Sequence, residues 1–426
     1  MALFPRNVEP EVEAALADTP VVVIVGPRQC GKSTLAERIA DSHGARKVSL
    51  DDAGTRAAAN ADPTSFIEDS ELPLLIDEFQ KAPALLDAIK RRVDRARQGG
   101  SRAAGMFLLT GSANVWSTLR ISESLTGRAE RIQLWPLSQG ELRGRREDFL
   151  AGLLAGRVPR LGDQPIGRKP IVEAIARGGY PEMVARSQPD RRARWLQNYL
   201  EMILERDARD IAERGRQLDE LPRLLRIAAT RVAGLTDLTA MGRAIEMKRD
   251  STRRYLRLLE LLFLVRQVPA WSGSLAQQTI KTPKLWIPDS GLACGLVGYG
   301  EERLLEDEAP HAGALFENFV AAEVLKQSTW LGQAVGFHHF RTPGGREVDI
   351  VVELADGSLA GIEAKLGATP SKSDFSGLAH LRDKLGDRFK AGVVIHTGAE
   401  TLPFGDRLWA VPVAGIWSAA GDAGIA

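Results

Sequence analysis

The chain predicts an α/β protein of several domains, on three observations. Short β-branched or leucine-rich runs alternate with helical stretches up to about Leu137, the next stretch is helical and poor in strand signal, and α/β character returns from about Ala312. With 426 residues, 44% hydrophobic and 26% charged, there is core enough for two or three domains, and disordered, collagenous and disulfide-scaffold classes are excluded. Lys+Arg total 56 against 55 Asp+Glu. Global charge therefore gives no reason to expect a nucleic-acid or membrane partner, and any such partner must be read locally. Two widely separated cysteines, Cys30 and Cys294, suit a reducing cytosol. The longest apolar runs are strand-sized, and acids follow Arg6 without an apolar signal core. The expectation is a cytoplasmic protein with neither export signal nor membrane span.

Taken in order, Val21–Val25, Lys47–Leu50, Leu74–Ile76, Met106–Leu109 and Ile132–Leu134 read as strands of a parallel sheet covered by helices on both faces, within a nucleotide-type domain over residues 1–140. Residues 141–215 read as a helical connector, with Pro159, Pro165 and Pro170 punctuating a basic loop and Arg192–Glu213 forming one long amphipathic helix. Residues 216–271 give helices at Leu221–Val232, Leu238–Ile245 and Ser251–Leu262, with a turn at Gly234 and a closing apolar run, Leu261–Val268. That is the order of a winged helix-turn-helix. Residues 272–418 follow an αβββαβ succession: helix Ala314–Gln327, strands Val335–Phe340, Arg346–Glu353 and Leu359–Leu366, helix Asp374–Lys384 and strand Ala391–His396. The small-residue tail, 419–426, is expected to fray.

After the first strand comes Gly26-Pro27-Arg28-Gln29-Cys30-Gly31-Lys32-Ser33-Thr34, which fits G-x-x-x-x-G-K-[ST] and leads into a helical run. Glycines let successive N–H groups face phosphate oxygens, the helix N-terminus adds its positive dipole, Lys32 reaches the β- and γ-phosphates, and Ser33 ligates Mg²⁺. Cys30 occupies an unconstrained position and reads as a small filler rather than a redox thiol. A partner acid is expected at the end of a neighbouring strand, and Leu72–Ile76 ends in Asp77 and Glu78. Asp77 is the Mg²⁺-side carboxylate of this reading and Glu78 the water-activating base. Ser112 is the candidate γ-phosphate sensor, with turn chemistry as its alternative. Arg128 is the candidate arginine finger, in cis or in trans.

These segments, with Leu-Leu-Ile-Asp-Glu-Phe-Gln-Lys (74–81), Leu-Leu-Thr-Gly-Ser (108–112), Leu-Thr-Gly-Arg (125–128) and Gly-Gly-Tyr-Pro-Glu (178–182), resemble a prokaryotic AAA-type (P-loop) ATPase family. Its members carry a C-terminal domain of unknown function, number 4143, and the likeness runs over nearly the whole chain. The resemblance implies ATP binding through Gly26, Gly31, Lys32, Ser33, Asp77 and Glu78, and assigns Gly127-Arg128 to the family's Gly-Arg pair. Cys30 stands where such proteins often have an aliphatic residue.

Charge neutrality breaks at residues 223–266, where ten basic residues (Arg223, Arg226, Arg231, Arg243, Lys248, Arg249, Arg253, Arg254, Arg257 and Arg266) face four acids. Lys248, Arg249, Arg253, Arg254 and Arg257 would decorate the start and outer face of a recognition helix, so DNA is a candidate partner. The alternative is a solvated face or a protein-docking module.

Farther on lie Glu317, Asp349 and Glu363-Ala364-Lys365. In a strand, residues two apart share a face, so Glu363 and Lys365 project together and an adjacent strand brings Asp349 beside them. Asp349 and Glu363 are candidate metal ligands, with Lys365 positioning a metal-acidified water against a phosphodiester and Glu317 completing a second metal site or orienting Lys365. Lys365 offsets only one of the two carboxylates, so the cluster is expected to be costly without a cation. Helix-Glu, Asp, then Glu-x-Lys in αβββαβ order resembles the PD-(D/E)XK nuclease superfamily, with Val348 replacing the proline before the first acid. His338-His339 reads as strand-end polarity. Two functions follow: an ATPase that couples ATP/ADP state to nucleic-acid binding and metal-dependent cleavage, or an ATP-switched regulatory adaptor with an inactive nuclease-like domain. A trans role for Arg128 would require a homo-oligomer.

Overall fold

The computed structural model describes residues 4–100, 103–111, 125–161, 166–211, 218–273, 282–306, 309–418 and 424–425. Ser112 lies outside them. The chain forms two compact units. One comprises Arg6–Pro136 with Leu261–Phe263; the other holds Leu137–Glu260 and the chain from Leu264 onward.

The first unit is built on five parallel strands, β1 (Val21–Val25), β2 (Arg46–Ser49), β3 (Leu74–Asp77), β4 (Phe107–Gly111) and β5 (Ala129–Gln133), in the order β2-β3-β4-β1-β5. All five residues of β1 are buried, as an apolar run covered on both faces must be. Val22 and Ile24 point into a cluster with Val12 and Leu16 of α1 (Glu9–Asp18) and with Leu35 and Ile39 of α2 (Lys32–Ser42). Each such side chain contributes about 1.5–3 kcal/mol by leaving water. One expectation needs correction. β3, which ends in Asp77, is not the neighbour of β1, because the fully buried β4 is inserted between them.

In the second unit, the expected connector contains the helices Phe149–Leu154, Arg168–Arg177 and Pro189–Met202, the last continued by a wide π-type turn, Ile203–Asp207, and a short helix to Ile211. The connector is not free of strand. Pro159–Arg160 (β6) pairs with Gly424–Ile425 of the expected frayed tail. Three helices follow, Leu221–Thr230, Leu238–Arg243 and Arg249–Leu261. A two-stranded antiparallel sheet comes next, made of β7 (Arg266–Val268) and β8 (Lys284–Trp286). The Asp237 side chain caps the second helix by accepting the Thr239 and Ala240 N–H groups, which fixes where that helix starts.

The C-terminal part runs helix Ala312–Gln327, β9 (Val335–Arg341), β10 (Glu347–Leu354), β11 (Leu359–Ala364), helix Ser376–Leu385 and β12 (Phe389–His396), then β13 (Leu402–Pro403) and β14 (Leu408–Pro412). They make a six-stranded mixed sheet, β13-β14-β12-β11-β10-β9. The helix Ala312–Gln327 is buried almost all round, so its polar side chains are paired. Asn318 clamps both backbone groups of Ile287, Glu323 accepts the Gln139 N–H and the Lys326 ammonium (2.7 and 2.6 Å), and Gln327 bonds Leu150 and Ile416. No helix of the described residues is long and apolar enough to cross a membrane.

Candidate functional site

The phosphate loop joins the end of β1 to α2. Its backbone makes the turn with Gln29 and Gly31 at positive φ (58° and 99°), the second a value that only glycine adopts without strain. At Gly26 a Cβ would fall 2.0 Å from the Leu134 carbonyl oxygen, so the loop's first residue must also be glycine. Lys32 is buried, and its ammonium spans the loop to donate to the Pro27 carbonyl (2.8 Å).

Ser33 Oγ donates to Asp77 Oδ1 at 2.9 Å, and Thr110, the penultimate residue of the inserted strand β4, also donates to that oxygen. Ser33 and Asp77 thus meet at the mouth of the loop. A hydroxyl and a carboxylate are the hard oxygen donors that suit Mg²⁺. Glu78 follows with φ 55°, its N–H directed at Thr110 Oγ1 (3.4 Å) and its carboxylate accepting from Gln80 Nε2. Strained backbone of this kind gathers at functional turns.

Two residues here escaped the sequence reading. Thr110 reaches the acid, and alternation along β4 was the signal available for it; Ser112, expected as the γ-phosphate sensor, lies outside the described residues. Arg6 is buried and donates to the Cys30 carbonyl (2.8 Å) and the Trp135 carbonyl (2.7 Å), bracing the last turn of the loop against the chain beyond β5. Nothing local in the sequence marks it. Cys30 is fully buried beside the Leu134 carbonyl, as a filler should be.

Arg128 is not brought to the phosphate loop of its own chain. It precedes β5 at the N-terminal edge of the parallel sheet, where its backbone carbonyl takes the Val21 N–H, whereas the loop leaves the C-terminal edge of β1. Five residues of strand separate these edges, roughly 16 Å. Its guanidinium is held by a two-point pair with Asp94 (2.6 and 2.9 Å), which lowers the Asp94 carboxyl below its usual range through that hydrogen bond. A finger acting in cis is therefore corrected by the geometry.

A second candidate site lies on the C-terminal sheet. β10 and β11 run antiparallel with Ile350 opposite Ile362, a register that sets Asp349 beside Glu363. A β-bulge between Val348 and Val351 on the β9 side turns the strand at this acid. Asp349 Oδ2 accepts the Ala364 N–H (3.0 Å), Glu363 Oε2 accepts the Asp349 N–H (3.2 Å), and Lys365 Nζ donates to Glu363 Oε1 (2.9 Å). Carboxylate oxygens of Glu347, Asp349 and Glu363 lie within 4.8 Å of one another, a set that fits a hard divalent cation. Glu347, two residues before Asp349 on the same strand, was open to the same parity argument.

Glu317 approaches from its helix, but between it and Asp349 sits a residue that no spacing rule announces. Lys284 of β8 places its ammonium 2.5 Å from Glu317 Oε1 and 2.8 Å from Asp349 Oδ1. The expectation that Lys365 alone offsets the acids is thereby corrected: two lysines face three buried carboxylates. Burial opposes charge on Lys284, yet Asp349 and Glu317 outweigh it and hold the ammonium above the ordinary lysine value. Burial, then the Asp349 charge, pushes Glu363 up to about 8, and the same two causes raise Glu317 well above its usual value. His339 is buried, pushed down to about 4 by that burial, and turned to the Thr282 carbonyl, consistent with a structural rather than ligating histidine.

The Gly-Gly-Tyr-Pro-Glu segment is a packing junction. The Gly179 N–H donates to the buried Asp289 carboxylate (2.8 Å), and the Tyr199 hydroxyl donates to that of Tyr180 (3.0 Å). On the basic middle, Arg223, Arg226, Arg243, Lys248, Arg249, Arg253, Arg254 and Arg257 are exposed, while Arg231 and Arg266 are half-buried.

Residues 18–143 match the family model described as an AAA domain. Residues 168–303 match domain of unknown function 8612, and residues 312–416 match domain of unknown function 4143. Uncharacterized proteins of Mycobacterium bovis and Mycobacterium tuberculosis are each 29% identical over 418 residues, covering 97% of this chain and 84% of theirs. Among solved structures, a Walker-type ATPase of Pyrococcus abyssi is similar at 15% identity and TM-score 0.44, over 69% of this chain and 96% of its own. The RuvB Holliday junction branch migration motor of Thermotoga maritima is similar at 18% identity and TM-score 0.25, over 62% and 89%. By the family models, the five-stranded parallel-sheet region is similar to an AAA domain and the C-terminal mixed-sheet region to domain of unknown function 4143.

Proposed function

We propose that this protein binds and hydrolyses ATP, and that its nucleotide state governs nucleic-acid binding and metal-dependent phosphodiester cleavage by the C-terminal domain. The observation that carries the ATPase reading is the convergence of Ser33 and Thr110 on Asp77 at the mouth of a loop spanned by Lys32. In this reading Lys32 and the loop N–H groups hold the β- and γ-phosphates, Ser33 and Asp77 hold Mg²⁺, and Glu78 takes the proton of the attacking water. Mg²⁺, when bound, neutralises charge on the phosphates. Arg128 contributes only in trans, which requires the Asp94 pair to open and subunits to meet. Light scattering with and without ATP tests that.

Nucleic-acid binding is supported by the exposed arginines of the helix Arg249–Leu261 and the three-helix-plus-hairpin order of residues 221–286. Cleavage is supported by the Asp349, Glu363 and Lys365 cluster. One observation favours the second reading, an adaptor that performs no chemistry: Lys284 already supplies a cation to Asp349 and Glu317. Incubation with DNA and RNA substrates and Mg²⁺ or Mn²⁺, with and without ATP, separates the two. Cleavage by the native protein that is lost in Lys365→Ala supports the nuclease, and no cleavage under any condition supports the adaptor.

A further inference from the structure

We infer that Lys284 is a tethered counter-ion that keeps the C-terminal carboxylate cluster closed, and that a divalent metal enters only by displacing its ammonium from Asp349 and Glu317. This rests on the reading of Asp349 and Glu363 as metal ligands and names how access to them is controlled.

The geometry leaves little choice of position. Asp349 Oδ2 is taken by the Ala364 N–H, and both Glu363 oxygens have partners in the Asp349 N–H and Lys365. The remaining Asp349 oxygen, Oδ1, faces Lys284 at 2.8 Å, and the same ammonium reaches Glu317 Oε1 at 2.5 Å. A metal ion bridging Asp349 and Glu317 would occupy the volume of that ammonium, and two cations cannot share it. Glu347 extends the donor set but is exposed and lies toward Arg341, so by itself it does not draw a cation inward.

The strand that carries the tether joins the cluster's helix to the three-helix module. β8 pairs with β7, Leu285 exchanges hydrogen bonds with Ala233 and Gly234, and the Thr236 N–H donates to the Pro283 carbonyl. Residues 233–236 form the turn between the first two helices of the basic module. Lys284 therefore reaches the cluster from a strand that is paired with the three-helix module and clamped at Ile287 by Asn318 of the Glu317 helix, so its ammonium leaves by side-chain rotation while the strand stays in place. Regulation by an internal ammonium differs from a permanently inert site in being removable by one substitution.

The test is a Mn²⁺ titration of the full chain, followed by electron paramagnetic resonance of free Mn²⁺. Lys284→Gln is expected to bind at least tenfold tighter than the native protein, and Asp349→Asn to abolish that binding. Should Lys284→Gln fold poorly, Lys284→Met, which keeps the packing of the aliphatic stem and removes only the charge, is read the same way. Equal binding by native and Lys284→Gln, lost in Asp349→Asn, would overturn the displacement while leaving the metal reading intact. Weaker binding in Lys284→Gln would make Lys284 a scaffold and overturn it too. No specific Mn²⁺ binding in any form would sink both.

Discussion

At the phosphate loop the charge-handling groups are mostly backbone: a run of N–H groups shaped by Gly26 and Gly31, with one ammonium resting on a neutral carbonyl. At the C-terminal cluster they are side chains, three buried carboxylates held by two ammonium groups. Exchanging Pro27 for a phosphate costs Lys32 only a neutral hydrogen bond and gains charge-assisted ones. Exchanging Lys284 for a metal means breaking two buried ion pairs, whose removal from one side typically costs about 3–5 kcal/mol. The first site is arranged to accept a ligand and the second to resist one.

The comparison is broken most directly at Lys32. Lys32→Ala is expected to weaken Mg²⁺-ATP binding by roughly 10³-fold, about 4 kcal/mol, seen as loss of ATP-induced thermal stabilisation. Unchanged ATP affinity would remove the nucleotide assignment. Glu78→Gln should keep binding and slow hydrolysis by on the order of 10³-fold, because the amide cannot take the water's proton. Slowing through weakened ATP binding instead would make Glu78 a structural turn residue.

The same contrast explains what could be read beforehand. A phosphate loop is a contiguous pattern, since the glycines that permit its backbone sit next to the lysine they serve, and strand, loop and helix could be placed from residues 21–42 alone. The αβββαβ order and the pairing of Asp349 with Glu363 were legible for a related reason: alternation along a strand fixes the face, and burial fixes the register. Lys284 was not. It lies 65 residues from Asp349 in a short strand outside the αβββαβ run, and a single lysine between Pro283 and Leu285 carries no periodic signal. Strand order within the first sheet was likewise hidden, because five similar apolar runs are compatible with several orders until β4 is seen between β1 and β3. Arg128 was placed by motif, and its true neighbour, Asp94, is on a helix whose facing only the fold determines.

A buried carboxylate outside both sites sharpens the comparison by separating burial from ligand binding. Glu147 accepts the Gly140 N–H (2.6 Å) and is pushed up to about 7, chiefly by burial and then by the Glu323 charge. Its folded value lies above its unfolded one, so its contribution to stability is full below about pH 4.5 and is lost as pH rises through 7. Glu147→Gln keeps the acceptor without the charge. It should be the more stable protein at pH 8, by ~2–3 kcal/mol, and near native at pH 4.5. Glu363→Gln should show the same sign with the window extended to about pH 8. Melting curves at both ends decide it, and a Glu147→Gln protein weaker than native at pH 8 would reverse the assignment.

The smallest expected effect concerns the basic helix, whose charges are neither backbone-shaped nor internally closed. Arg253 meets Asp250 only at 3.4 Å, Arg254 reaches the Ser251 hydroxyl at 3.1 Å, and both side chains are exposed. Exposed pairs of this kind are worth ~1 kcal/mol or less, so little holds these guanidinium groups back from a phosphate. If they contact a nucleic-acid backbone, each releases about one counter-ion, and log Kd rises with log salt by about 0.9 per contact. Arg253→Ala and Arg254→Ala should each weaken binding a few-fold at 100 mM salt, lower that slope by about 1, and do so alike for unrelated sequences. A loss confined to one sequence would instead place the side chain on a base edge. Binding that ignores both substitutions and salt would assign the helix face to a protein partner, leaving the cluster on the neighbouring sheet without a nucleic acid to act on.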